Sequence, residues 1–324
     1  MKIGVLTTQP FPDQSLEEVL EYLSDMGVEC VELSCGGFLG STHMDPEKAL
    51  EDKSERRRIS NLLKEYDMEI SAISAHGNPI HPQEEKAETY DNDLRTAIEL
   101  ASKLDVGVVN GFSGCPGASE DAKYPNWITF PWPGEHTEAL EWQWEECIIP
   151  YWTDLSEFAD EKDVDIGIEM HPNMSVYNPE TMIKLREETN DRIGANFDPS
   201  HLYWQGIDVL EAIQELGERD AIKHFHAKDT RIYDHHRRLN GVLDAKPLSD
   251  IRNRAWNFRS VGYGHGESHW KDIISTLRLV GYDDVLSIEH EDLLASTQEG
   301  LEKAIDLLKR AAFREERKGE DHWL

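Results

Sequence analysis

Residues 192–229 read RIGANFDPSHLYWQGIDVLEAIQELGERDAIKHFHAKD. The runs RIGANFDPSH, from 192, and IKHFHAKD, from 222, are short and rich in apolar residues, and an amphipathic segment beginning near Ile207 separates them. Such alternation is the pattern of βα units and a parallel sheet. Working outward, the same kind of run recurs as KIGVLTT from residue 2, CVELSC from 30, EISAISAHG from 69, VGVVNGFS from 106, VDIGIEMHP from 164 and VLSIEHED from 285. Helical candidates follow, starting near Ser15, Pro46, Glu84, Leu140, Pro179, Ile207, Ser268 and Ser296. Eight strands each followed by a helix is the count that closes a barrel. The predicted fold class is therefore α/β, a single-domain (β/α)8 TIM barrel over residues 1–313, with a polar tail at 314–324. A doubly wound open sheet is the alternative; it usually carries a Gly-rich phosphate turn after its first strand, and TTQPFPDQS has none.

Charge narrows the partners. Asp and Glu number 64 against 33 Lys and Arg, a formal net charge of -31 over 324 residues. The acid lies along helical stretches (Glu17, Glu18, Glu21; Glu84, Glu85, Glu88; Glu157, Asp160, Glu161, Asp163) and reads as a surface-wide carpet suited to a salt-rich, halophilic cytoplasm, where screening relieves self-repulsion. A field of this sign repels phosphates, so nucleic acid is excluded as a partner. No run of about 18 apolar residues exists, and MKIGVLTTQP leads directly into a strand pattern, so neither a membrane span nor a signal peptide is expected and the cytoplasm is the expected location. The four cysteines show no CxxC pair and read as small buried hydrophobes.

Two connections, 114–139 and 230–266, are too long for simple βα loops. Both follow strand ends, which places them over the catalytic face, and Trp127, Trp132 and Trp256 argue that they are ordered.

Four strands finish in residues able to bind a hard or borderline cation: Glu169 in GIEMHP, Asp198 in NFDPSH, His226 in HFHAKD and Glu289 in SIEHED. All four converge on the mouth of a barrel, and the set predicts one divalent ion, Mn, Mg, Co, Zn or Fe. His201, three residues after Asp198, is a substrate contact or a cap. Lys228 binds a substrate oxygen or neutralises surplus carboxylates, and Arg259 presents a fork suited to a substrate oxygen or phosphate. The Gly-rich run around Gly262, Gly264 and Gly266 shapes a loop rather than a phosphate cradle.

The ordered motifs IEMHP, FDPSHL, HFHAKD, FRSVGYGHGESHW and LSIEHED resemble the sugar phosphate isomerase/epimerase proteins of the xylose isomerase-like barrel superfamily, which also contains ketose 3-epimerases, inosose dehydratases and endonuclease IV. The resemblance spans nearly the whole chain. It implies that Glu169, Asp198, His226 and Glu289 hold the metal, and that Glu169 and Glu289 also serve as catalytic base and acid, moving a proton through an enediolate on a sugar-like small molecule. His76 in SAHGNP then reads as a substrate contact or a buried histidine. The fourth strand ends NGFSG where endonuclease IV has a zinc-binding His, which argues against DNA repair. A lyase or hydrolase of inososes or 3-keto-glycosides is the alternative activity, and a non-catalytic metal-binding scaffold is a third. Barrels of this type are often dimers or tetramers, so a homo-oligomer is expected.

Overall fold

All eight strand-like runs become staves of one barrel. A computed structural model describes residues 1–315; the tail expected at 314–324 lies from residue 316 onward outside the described residues. The strands are β1 (Lys2–Leu6), β2 (Cys30–Ser34), β3 (Glu69–Ser74), β4 (Val108–Phe112), β5 (Asp165–Glu169), β6 (Ile193–Phe197), β7 (Ile222–Ala227), β8 (Asp229–Ile232), β9 (Trp256–Arg259) and β10 (Val285–Ile288). Eight of them close in the order β1-β10-β7-β6-β5-β4-β3-β2, and β8 pairs with β9 in a separate two-stranded sheet. The closing pair is parallel, with Lys2 opposite Val285 and Val5 opposite Ile288. The staves are sequestered on both sides, by the barrel interior and by the helices, which is why they read as nearly continuous apolar runs.

Local chemistry sets the helix ends. Ser15 caps the helix Leu16–Asp25 in a capping box with Glu18, and the helix buries Leu16, Val19, Leu20 and Leu23, one face at helical spacing. Near Pro46 two helices form where one was expected, Pro46–Glu51 and Lys53–Glu65; Asp52 ends the first and its side chain caps the second through Ser54 N. The helix expected from Leu140 begins earlier, at Gly134, and runs through a π segment, Gln143–Ile148, into Ile149–Glu161. At that wide turn the Gln143 amide donates to the carbonyls of Gly117 and Asn126 at 2.9 and 2.8 Å, tying the 114–139 connection to the body.

The 230–266 connection has structure of its own. In its β8–β9 hairpin Asp229 faces Arg259 and Ile232 faces Trp256, with a short helix, Asp234–Asn240, between the strands. The glycine run closes it. Backbone N–H groups of Gly262, Gly264 and His265 donate to Asp229 Oδ2 at 3.0, 3.0 and 2.9 Å, and Trp270 Nε1 donates to the same oxygen at 3.2 Å. A Cβ on Gly264 would stand 2.4 Å from Asp229 Oδ1, so only glycine permits this approach. The amides that resemble an anion cradle hold the protein's own carboxylate.

All ten of the helical acids named from the sequence are solvent-exposed, from Glu17 to Asp163. Self-repulsion among them opposes folding and is screened by salt. The melting temperature is expected to rise by several degrees between ~0.1 M and ~2 M KCl, read by calorimetry on the same preparation. An unchanged or lower melting temperature would remove the high-salt reading of the charge.

Candidate metal centre

Glu169 ends β5, Asp198 directly follows β6, His226 is the penultimate residue of β7 and Glu289 directly follows β10. One ligand atom from each lies within 4.8 Å of the others, and all four residues are buried. His226 Nδ1 stands between two of the carboxylates, 3.2 Å from Glu169 Oε2 and 3.0 Å from Glu289 Oε2.

The carboxylates have oxygens to spare. Asp198 Oδ1 accepts from Ser200 N at 2.8 Å and so caps the helix Pro199–Tyr203, while among the described residues neither its Oδ2 nor Glu289 Oε2 has a hydrogen-bond donor. His201 Nε2 is 3.2 Å from Asp198 Oδ2 but is not aligned as a donor to it. Unsatisfied buried oxygens cost about 1–3 kcal/mol each, more when charged. A divalent cation among these four residues satisfies both, and three carboxylates with one imidazole suit a hard or borderline ion.

Two other triplets have metal-like spacing, Glu32–His224–His226 and Glu169–His171–His201. The first is already saturated. Glu32 accepts from His226 Nε2 at 2.9 Å, Asn110 Nδ2 at 2.9 Å, Ser287 Oγ at 2.9 Å and, at short range, Ser74 Oγ. His224 Nδ1 lies between Asn110 Nδ2 and Asn196 Oδ1, at 3.1 and 3.0 Å. In the second, His171 Nδ1 is 2.7 Å from the Pro172 carbonyl.

Glu32 was not singled out in the sequence, although a Glu inside CVELS, a strand buried at every position, is the signal that marks it. Burial pushes its carboxyl up, and His226 and His224 outweigh that, holding it below the usual carboxylate range. The same contact fixes His226. With Nε2–H donated to Glu32, Nδ1 is the atom turned to the carboxylates, the carboxylate–histidine arrangement that orients metal ligands. Burial lowers the His226 pKa, but Glu32, Glu169 and Glu289 together hold it well above the ordinary value, so the proton on Nδ1 is the one an ion displaces.

Glu169 and Glu289 reach the floor of a cavity of about 760 Å³ that opens between the two long connections, together with His76 and Lys228. Asp198 and His226 lie fully buried, outside its lining. Lys228 Nζ contacts Glu289 Oε1 at 3.1 Å and Glu291 Oε2 at 2.6 Å. Burial favours its neutral form, yet Glu289, Glu291 and Asp198 keep the ammonium charged. Burial raises the Glu289 carboxyl, and Lys228 and His226 together outweigh it, bringing it to about 2. Against burial, the close approach of His201, His226 and His76 holds Glu169 well below its ordinary value.

The expected substrate contacts part company. His76 lines the cavity, with Nε2 3.3 Å from Glu169 Oε2. His201 is fully buried behind the carboxylates, with Nε2 3.0 Å from Glu169 Oε1; burial depresses its pKa, and Asp198 and Glu169 reverse this to about 9. Arg259 is not brought into the group. Its Nε donates to Asp292 at 3.0 Å, and it does not line the cavity.

Asp198→Ala is expected to abolish stoichiometric metal binding. Glu32→Gln, which leaves all four candidate ligands in place, is expected to weaken the metal about 10–100-fold. Chelator competition followed by elemental analysis reads both; wild-type affinity in Glu32→Gln would remove the role given to that carboxylate.

Residues 13–311 match the family model of the xylose isomerase-like TIM barrel. The uncharacterized protein YfiH of Bacillus subtilis (strain 168) is 36% identical over 297 residues, covering 91% of this chain and 94% of that protein. A solved D-tagatose 3-epimerase-like protein superposes with a TM-score of 0.64 at 21% identity, over 96% of this chain and 98% of its own. The IOLI protein solved with a binding zinc atom gives a TM-score of 0.62 at 16% identity, over 97% of this chain and 100% of its own. At such identities the two structures speak to fold alone. The family match covers nearly every described residue, and the chain belongs to the xylose isomerase-like TIM barrel family.

Proposed function

We propose that this protein is a metal-dependent isomerase or epimerase of a sugar or sugar derivative, shifting a proton on a carbon beside a carbonyl. One observation carries the reading. Glu169 and Glu289 stand three positions apart around the eight-stranded barrel, so they approach the cavity floor from different sides, and each has an oxygen within 3.2 Å of His226 Nδ1.

Both carboxyls are held low and are ionised at neutral pH. Carboxylates so held are weak bases, so a substrate C–H must be acidified before either can take its proton. A bound divalent ion supplies that chemistry by polarising the carbonyl and the neighbouring hydroxyl. Everything else is done by side chains of the chain. One Glu accepts the proton and leaves an enediolate; the other, ionised at rest, takes up a proton from solvent and delivers it to the far face, inverting the carbon while the first Glu gives its own proton back to solvent, whereas return of the first proton to the adjacent carbon, with the hydroxyl proton passing to the former carbonyl oxygen, isomerises the sugar. Lys228, bonded to Glu289 and Glu291, fixes Glu289 at the cavity wall and offers positive charge near a developing oxyanion. His201 lies behind Glu169 and Asp198, close enough to place positive charge beside both. His76 at the cavity wall contacts the substrate. The 3-epimerase name of a structural neighbour supports a ketose as the first compound to try.

Elimination is the second reading, because the same enediolate can expel a β-substituent and the cavity, at about 760 Å³, has room to hold one. The Mn-loaded protein, kept in deuterated water with a panel of ketoses, inososes and 3-keto-sugars, is expected to place deuterium at one carbon of one substrate, read by proton NMR. Glu169→Gln and Glu289→Gln are each expected to slow this at least ~100-fold. Loss of a substituent without epimerised sugar would transfer the site to the elimination reading, and fully metallated protein that exchanges no proton with any compound would overturn both.

A further inference from the structure

We infer that the cavity has a second, aromatic compartment beyond the metal centre, and that its ligand is a neutral glycoside whose carbonyl-bearing ring sits at the metal centre and whose second ring lies there. The inference rests on the proposed reading only in placing the reacting sugar at Glu169 and Glu289.

Size comes first. At the roughly 30 Å³ that a water molecule occupies in the liquid, taken as a generous share for each heavy atom, a hexose fills about 360 Å³. The cavity holds about 760 Å³. Half of it is left over once one sugar is seated on the floor.

The chemistry of the remaining half is specific. Phe258 touches the floor, its ring 5.3 Å from His201 and 4.3 Å from Lys228 Nζ. Trp256 packs against Phe258 at 5.2 Å, and Trp204 stacks flat on Trp256, centroids 5.0 Å apart and planes at 6°. These rings form an aromatic path leading outward from the metal centre. With Trp127 and Val242 they make up a hydrophobic cluster separate from the main core, and all five line the cavity. A satellite cluster under long loops is ordinary; here the buried Trp204–Trp256 stack backs Trp127 and Phe258, half-buried rings of the cavity wall that leave ring surface on which the C–H side of a pyranose or an aryl group can stack. Two donors accompany them. The indole N–H groups of Trp127 and Trp204 are buried without an acceptor among the described residues.

Charge excludes a phosphate. Three cationic side chains line the cavity among the described residues, and each is engaged. Lys228 is held by Glu289 and Glu291, and Lys246 is paired with Asp244 at 2.8 Å. Arg254 donates to the Trp256 and Lys246 carbonyls and lies over the Trp256 ring. Four carboxylates, Glu169, Asp244, Glu289 and Glu291, line the same space. In the aromatic compartment, away from the ion, a dianionic group would have to displace Asp244 from Lys246 or Glu291 from Lys228 to find a cation.

The test is equilibrium binding to the Mn-loaded protein by calorimetry, which needs no turnover. The probes are methyl glucoside, p-nitrophenyl glucoside (both anomers of each), maltose, glucose and glucose 6-phosphate. At least one two-ring probe is expected to bind about tenfold or more tighter than its methyl counterpart, as a stacked ring contributes. Trp127→Ala is expected to reduce that advantage to within about threefold, with methyl glucoside affinity and metal content unchanged. Leu243→Asp, at a cavity residue 77% exposed and so harmless to folding, should do the same. Equal affinity for one-ring and two-ring probes, an advantage that survives both substitutions, or tighter binding of glucose 6-phosphate than of glucose would each overturn the inference. Two-ring preference without proton exchange in any sugar would remove the proposed reaction and leave the compartment standing.

Discussion

A single buried carboxylate organises the inside of this barrel. Glu32 sits on β2 with no exposure to solvent, and four donors from four other strands converge on it: Ser74 on β3, Asn110 on β4, His226 on β7 and Ser287 on β10. An isolated buried charge is very costly, and one fully hydrogen-bonded from several directions is tolerable and rigid. Barrel interiors are usually layered with branched apolar side chains. Here one layer is polar, and that layer decides which nitrogen of His226 faces the carboxylates of Glu169 and Glu289.

The same device appears a second time at the rim. Asp229, also fully buried, gathers backbone donors from Gly262, Gly264 and His265 and so draws the end of the long 230–266 connection onto the barrel mouth. That places β9, and with it Trp256 and Phe258, along the cavity. On the other side Gln143, Asn78 and Ser175 hold the 114–139 connection by its backbone; Asn78 Nδ2 donates to the Cys115 carbonyl at 2.9 Å and Ser175 N to the Gly114 carbonyl at 2.8 Å. Internal polar anchors thus replace regular secondary structure where the chain must form a shaped wall, the usual location of specificity on this fold.

The barrel was legible because each stave is a short apolar run and each helix has its own start chemistry, as at Ser15 and Ser296. The four candidate ligands were legible because each sits where a strand stops, a position that the count of runs alone identifies. Other features depend on partners distant in sequence. Nothing local to Arg259 announces that Asp292 claims it, and nothing local to His201 says that it lies behind two carboxylates rather than at the wall. Glu32 had a visible signal, a charge within an apolar strand, whose meaning depends on His226, 194 residues away. Helix breaks at Asp52 and at Gln143 depend likewise on a side chain choosing a backbone partner, which periodicity does not register.

The proposed function requires one ion held by Glu169, Asp198, His226 and Glu289, with His226 binding through Nδ1 while Nε2 donates to Glu32. Anomalous diffraction from crystals of the Mn-loaded protein tests this most directly. The predicted result is one strong peak in bonding contact with His226 Nδ1 and the three carboxylates. A peak seated instead between Glu32, His224 and His226, or between Glu169, His171 and His201, or no peak in crystals grown with excess Mn, would contradict it.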